Sequence, residues 1–342
     1  MAAKWLLIET FGGRHEPTVI ALGHTPKKFV PLGNIVRHHV TLAETRRAIT
    51  ELTIEQSTID RISEDGSRRT IAVPLTISAP RLHGLMVWCG RPDEEVPARD
   101  LAGAWLFDLT EDTSLRSDDL LTVYGIPADQ HAEQRQQSIA GVYSAPLVSN
   151  HRDEGTALAR IVRAEDGQET QSLWTLTRPD GQQRALHYSC RQMTKPGPDG
   201  TPHHLIRGIT HDIGPATDNP TAPSSDTLDH RVMDRIAADG KHHAIVNPAT
   251  LRLLRWIGPP LPRLAWQALP GQPAPAIHPD DIPTARAVLD GSPHGQIRMR
   301  ALDGSWLTLD ISAKPIDLDR STTAALVTLR PTTGPGNPAS PA

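Results

Sequence analysis

Specific chemistry in this 342-residue chain would have to come from its 16 histidines, two cysteines and seven tryptophans. Several histidines fall in adjacent pairs, His38-His39, His203-His204 and His242-His243. Neighbours on extended chain point to opposite faces, so none of these pairs makes a two-ligand metal face and no metal site is expected. His211 stands before Asp212 and has the chemistry of a haem ligand or a phosphoacceptor. No ATP-binding glycine cluster follows it, and it reads as a domain-exit histidine. His278 precedes Pro279, Asp280 and Asp281 at a predicted helix start, where acids meet free backbone amides. Cys89 and Cys190 are too far apart for a metal-ligand pair and too few for a disulfide framework, which suits a reducing compartment.

Motifs of known enzymes are absent. Gly12-Gly13 and Gly23 form no dinucleotide or phosphate loop, and there is no G-x-S-x-G elbow or H-E-x-x-H helix. No cyclase signature and no helix-turn-helix with a basic second helix can be found. Catalytic residues are therefore not expected. A divergent enzyme with an unrecognised site stands as a lesser alternative.

Charge excludes another class. The chain holds 35 basic and 39 acidic side chains: 12 and 11 in residues 1–98, 11 and 16 in residues 99–214, and 12 and 12 in residues 215–342. No block has the basic excess of a nucleic-acid surface, so no nucleic-acid partner is expected. The apolar runs, such as Leu82 to Cys89, fall far short of the roughly 20 residues that span a bilayer. Trp5 to Ile8 is also too short for a signal-peptide core, and the expected location is the cytoplasm without membrane insertion.

Length and composition then organise the chain. At about 100 to 150 residues per domain, it holds two to three domains. Its 31 prolines and 25 glycines require several linkers and long loops. Breaks fall at Arg91 to Asp100 and at Gly214 to Asp226, and the charge-free Pro331 to Ala342 reads as a frayed tail. In the first block, strands are predicted at Trp5–Ile8, Thr18–Leu22, Thr58–Ser63, Arg69–Ser78 and Leu82–Cys89. A helix is predicted from Leu42 to Leu52, with Thr41 as N-cap and Glu44 closing a capping box. The second block opens on strand Trp105–Asp108 and helices Asp118–Tyr124 and Glu154–Val162. Its last strands follow the turns Arg178-Pro179-Asp180-Gly181 and Pro198-Asp199-Gly200, with His187, Ser189 and Arg191 alternating against Leu186, Tyr188 and Cys190. The third block repeats this plan: strand Ala244–Asn247, a short helix Thr250–Trp256, a proline-rich crossover, helix Pro283–Leu289, and strands Leu307–Ala313 and Thr323–Leu329. Two copies of one rhythm suggest a duplicated module.

Particular residues give these blocks a resemblance. Trp105, Asp108, Leu120-Leu121-x-x-Tyr124-Gly125, Arg178, Asp180-Gly181, Gly208 and Asp212-Ile213 resemble the PAS pattern. His278-Pro279-Asp280-Asp281, Arg298 and Asp303-Gly304-Ser305-Trp306 resemble it again. With its opening Lys4-Trp5-Leu6-Leu7, the whole chain resembles an actinobacterial, mostly mycobacterial, family of triple sensor-domain proteins. The resemblance implies a GAF-like domain over residues 1–98, a PAS domain over 99–214, a PAS-like domain over 226–331 and no attached effector. Val73-Pro74-Leu75 and Gly84-Leu85-Met86-Val87 carry the GAF part. The implied fold is α+β, three sensor-like modules that are each an antiparallel sheet with flanking helices.

Sensor modules of this kind hold ligands in an apolar cavity with a few polar groups. Tyr124, Trp174, Tyr188, Cys190 and Trp306 are the candidate pocket residues, each with ordinary core packing as its competing reading. Cys190 sits on a strand, whereas the flavin photosensors among PAS relatives use a helical cysteine, so no flavin or other cofactor is expected. The function implied is a sensor-domain-only signalling scaffold that binds a small ligand, an effector or signalling protein, or both. An adaptor with filled cavities is the alternative.

Overall fold

The computed structural model describes residues 3–12, 16–77, 81–144, 149–151, 154–197, 200–219, 241–268 and 271–332. The turn at Pro198-Asp199, most of the 214–226 break and nearly all of the tail lie outside them. Three antiparallel sheets account for the three blocks.

The first sheet contains β1 (Leu6–Glu9), β2 (Thr18–Leu22), β3 (Thr25–Pro31), β4 (Ile59–Ile62), β5 (Arg69–Ile77) and β6 (Arg81–Gly90), in the order β3-β2-β1-β6-β5-β4. Helices α1 (Leu32–Ile35) and α2 (His39–Glu55) lie between β3 and β4. Alternation on the strands buries both sheet faces. Leu6, Ile8, Val19, Leu85 and Val87 pack with Ala48 and Leu52 of α2. The opposite set, including Leu7, Ile20, Leu75, Met86 and Trp88, enters a second core. The predicted capping box does not form. The helix begins at His39 with His38 as an N-cap that makes no side-chain cap bond. Glu44 instead takes Arg61 of β4 at 3.1 Å, because a cation across the fold outcompetes a local amide. His38 and His39 also fail to diverge: at the helix start their rings stack at 5.2 Å.

The second sheet contains β7 (Ala102–Asp108), β8 (Thr113–Arg116), β9 (Gln136–Gln137), β10 (Ser149–His151), β11 (Glu169–Thr177), β12 (Gln183–Pro196) and β13 (Pro202–Pro215), in the order β10-β11-β12-β13-β7-β8-β9. The helices of this block are α3 (Asp118–Val123), α4 (His131–Gln134), α5 (Ile139–Tyr143) and α6 (Glu154–Arg163). The third sheet contains β14 (His242–Val246), β15 (Leu253–Ile257), β16 (Gly295–Arg300), β17 (Trp306–Asp317) and β18 (Thr323–Pro331), with helix α7 (Ile282–Leu289) before β16. Its order is β15-β14-β18-β17-β16, the same as β8-β7-β13-β12-β11 in the second sheet. The duplication read from rhythm is thus present in topology. Thr250–Trp256 departs from the expected helix: β15 alternates half-buried and buried residues with Leu254 and Trp256 inward. Leucines and a tryptophan at this spacing satisfy both periods, and pairing with β14 decides between them.

The chain forms two compact units. One contains Met1–Gln136, Leu147–Arg152 and Ala164–Ser225; the other contains Gln137–Pro146, Asp153–Arg163 and Asp226–Ala342. In the first unit, Ala102, Ala104, Met193 and Ile209 of the second sheet share one core with Trp5, Phe11, Met86 and Trp88 of the first block. In the second unit, α5 and α6 join the third sheet. Ser144 Oγ accepts from Trp256 N at 2.9 Å, and Arg163 reaches Asp319 at 2.8 Å.

Candidate functional site in the middle module

The two faces of β12 and β13 separate what alternation predicts. One face carries Leu186 and Tyr188, which join Leu120, Val123 and Tyr124 of the α3 region with Trp105, Trp174 and Leu176. Tyr124 and Trp174 meet edge to face at 5.6 Å, and Trp105 and Tyr188 at 6.4 Å. The structure therefore brings Tyr124, Trp174 and Tyr188 into one aromatic cluster. Burial pushes the Tyr124 phenol up to about 12, opposed by the Arg116 charge and a hydrogen bond with Thr210. Cys190 is buried on β12 but is not part of this cluster, and neither cysteine is in a disulfide. Trp306 lies in the third sheet, half-buried, with the Arg300 guanidinium 4.4 Å from its ring centroid and His278 at 4.8 Å.

Motif residues of the second block converge on Asp212. This carboxylate is buried and accepts from Arg178 at 2.9 Å and from Arg184 at 2.8 Å. Arg178 also donates from Nε to the Val123 carbonyl at 2.9 Å, which fastens the end of α3 to β13. Gly125 has φ +74° and lies against the Arg178 chain, where a Cβ would meet it at 3.1 Å. The third block uses one such pair. Asp281 accepts from Arg298 N, Nε and Nη2 at 2.7 to 3.0 Å, and this holds its carboxyl down at about 2. Asp281 thus spends itself on β16, and the predicted capping role passes to His278, whose Nδ1 accepts from Asp280 N at 3.4 Å.

The opposite face of β12 and β13 carries, beside Met193 and Ile209 of the shared core, polar and charged residues that are nevertheless buried. Arg191 and Arg207 stand directly opposite each other across the two strands. Like charges so placed repel unless each has its own acceptors. Arg191 reaches Glu9 of β1 at 3.3 Å and Glu169 of β11 at 2.8 Å. Arg207 donates to the carbonyls of Thr10 at 3.1 Å, Phe11, and Leu82 at 2.7 Å. Its Nε donates to His83 Nε2 at 3.3 Å, which makes that nitrogen an unprotonated acceptor. Farther along, His187 faces His211 across the strands. His211 Nε2 meets Asp100 at 3.1 Å, and Asp100 also meets His24 at 3.1 Å. His211 is 1% exposed, so it is a seam residue of the first unit rather than a simple domain-exit histidine. Glu9, His83, Arg191 and Arg207 were missed in the sequence, where alternation assigns such residues to solvent. The available signal was register: counted back from the Asp199-Gly200 turn, Arg191 and Arg207 fall opposite each other.

No group of three or more His, Cys, Asp or Glu able to hold a metal occurs among the described residues. No helix among them is long and apolar enough to cross a membrane.

Three family models match in chain order: the Rv3651-like N-terminal model over residues 4–98, the middle-domain model over 101–212 and the C-terminal-domain model over 226–336. The chain belongs to the Rv3651-like family. It is similar to the crystal structure of an uncharacterised protein from Mycobacterium tuberculosis, with 29% identity, 96% of each chain covered and a TM-score of 0.78. An RNA-binding light-oxygen-voltage receptor matches at 13% identity over 67% of this chain and 94% of its own, with a TM-score of 0.25. No curated protein matches the chain.

Proposed function

We propose that this Rv3651-like chain is a non-enzymatic cytoplasmic signalling scaffold, a GAF-like module followed by two PAS-like modules, whose output is an interdomain change read by a partner protein. One observation carries this reading. The sheet of the middle block belongs to one compact unit with the N-terminal module, while its helices α5 and α6 belong to the other with the C-terminal module. A perturbation of this block therefore reaches both units through one stretch of chain. A small ligand or partner that favours one arrangement acts as a population shift. The packed rings of Trp105, Tyr124, Trp174 and Tyr188 favour a second reading, an adaptor whose middle module takes no ligand on that face.

The test is hydrogen exchange on the full chain with Glu9→Gln, a change confined to the first unit. Transmission predicts altered protection of the α5 and α6 amides in the second unit. Changes confined to residues of the first unit would overturn it. Native mass spectra separate the two readings: a reproducible extra mass lost on denaturation supports a ligand sensor, and the bare calculated mass supports the adaptor.

A further inference from the structure

Within the first unit, Thr76 and Ile77 of β5, Arg116 of β8, Ser117, Asp118 and Asp119 at the start of α3, and Arg135 after α4 line a cleft of about 320 Å³. That volume falls in the range of small-molecule sites. Its charges are not equivalent. Arg135 and Asp118 are spent on each other, in a two-pronged pair at 2.7 and 2.6 Å. Ser117 Oγ is spent as the helix cap, accepting from Leu120 N at 3.1 Å and from Ala104 N at 3.0 Å.

Arg116 is different. It is 6% exposed, yet no carboxylate pairs with it among the described residues. Its Nη2 donates to the Gln134 carbonyl and, at 3.3 Å, to Gln134 Oε1, while Nε has no partner. A guanidinium taken out of water without a counter-charge is costly, and burial accordingly weakens its hold on its proton. Asp119 has no hydrogen-bond donor among the described residues. It is exposed at the edge of the cleft, and its partial desolvation there raises its pKa, against the pull of the Arg99 charge. The cleft thus has one buried cation without a counter-charge and, on its exposed side, the carboxylate of Asp119, beside the apolar wall of Ile77.

We infer that this cleft is a binding site for a small zwitterion of the amino-acid class, its carboxylate taken by Arg116 and its ammonium by Asp119. The inference rests on the sensor reading, for which it supplies a ligand class and a place, between strands of the N-terminal module and the first helix of the middle one. A carboxylate suits a guanidinium through paired charge-assisted bonds, and an ammonium donor suits the Asp119 carboxylate, which no side chain of the described residues engages.

The experiment is calorimetric titration of the full chain with the common L-amino acids, each beside its deaminated acid and its decarboxylated amine. Saturable binding of at least one amino acid is expected below about 10 mM, with its amine weaker by roughly tenfold or more. Arg116→Gln abolishes binding of both amino acid and acid. Should that variant fail to fold, Asp119→Asn decides: it weakens the amino acid roughly tenfold while leaving the deaminated acid within about twofold. No saturable heat from any amino acid or acid, or affinities that ignore both substitutions, would overturn the proposal. The hydrogen-exchange response to Glu9→Gln is read separately. A silent cleft with a transmitted response removes the ligand site alone, and a bound zwitterion with no transmission removes the scaffold mechanism alone.

Discussion

Arg191 of β12 and Glu9 of β1 form an ion pair at 3.3 Å with side chains 2% and 1% exposed. Glu9 is saturated by further donors: Phe11 N at 2.8 Å, Thr18 N at 3.2 Å and Thr18 Oγ1 at 2.7 Å. Its neighbour on β13, Arg207, ends on carbonyls of the same N-terminal module. Two guanidinium groups therefore peg the middle sheet onto the first one in addition to the shared apolar core. Apolar contact gives adhesion without register; the charged pegs accept one alignment of the two sheets.

Removing Arg191 leaves the Glu9 charge buried with neutral donors alone, and removing Glu9 leaves the buried Arg191 with only the exposed Glu169. Arg191→Met and Glu9→Leu are each expected to lower stability by about 3 to 5 kcal/mol. The double variant is expected to be less destabilised than the sum of the two, because neither charge is stranded. Urea unfolding of the four proteins measures this coupling. Strict additivity would show that the two side chains do not act as a pair.

His187 provides a pH dependence with a definite sign. It is buried opposite His211, whose other neighbour is Asp100, and burial first, then the His211 charge, lowers it from 6.5 to about 4. The unfolded chain binds this proton more readily than the folded one. Stability from this group is complete above about pH 6.5 and is lost as pH falls toward 4, by up to about 3 kcal/mol. The difference between wild type and His187→Leu in urea unfolding from pH 8 to 4 should show this slope. A difference independent of pH would rule His187 out as its source.

The alternation of β12 is plain in the sequence, and so are its two faces. What alternation cannot say is whether a polar face meets water. Leu186 and Tyr188 mark an apolar side, but His187, Ser189 and Arg191 are buried because another sheet covers them. Such contacts join residues nearly 200 positions apart, as Arg191 to Glu9 does, and no local pattern encodes them. Arg178 and Asp212 were legible as motif residues, whereas their bond to each other and to Val123 depends on the packed fold. Arg116 left no sequence signal at all: an arginine ending a four-residue strand is usually solvated, and its burial follows from the loop through Gln134 and Arg135 that closes over it.

In the second unit, Arg163 at the end of α6 is the tie to the β17–β18 turn. Its Nη1 donates to Asp319 at 2.8 Å, to Ser321 Oγ at 3.2 Å and to Thr322 Oγ1. The arginine holds the Asp319 carboxyl far below the usual range. Arg163→Ala is expected to speed amide exchange across Glu154–Arg163 and the turn before Thr323 without altering the first sheet. Unchanged exchange in α6 would show that its apolar face, with Leu158 and Ile161, anchors it unaided.

Two glycines of the middle sheet should respond in opposite ways to compensation. A Cβ on Gly103 would lie 2.2 Å from the backbone N and Cα of Leu120, while one on Gly208 would lie 2.2 Å from the Trp105 ring. The first clash is with the backbone of α3, which is fixed by the Ser117 cap and by Arg178 on the Val123 carbonyl. Gly103→Ala should therefore cost more than about 3 kcal/mol, and trimming Leu120 to alanine should add its own cavity cost instead of relieving it. Gly208→Ala meets only a side chain. Adding Trp105→Leu should recover part of its loss, at the expense of the Trp105 Nε1 bond to Thr210 Oγ1 at 3.1 Å. Melting temperatures of the two singles, their partner singles and the two doubles test this contrast; rescue at Gly103 or none at Gly208 would mean that α3, not the indole, is the element free to move.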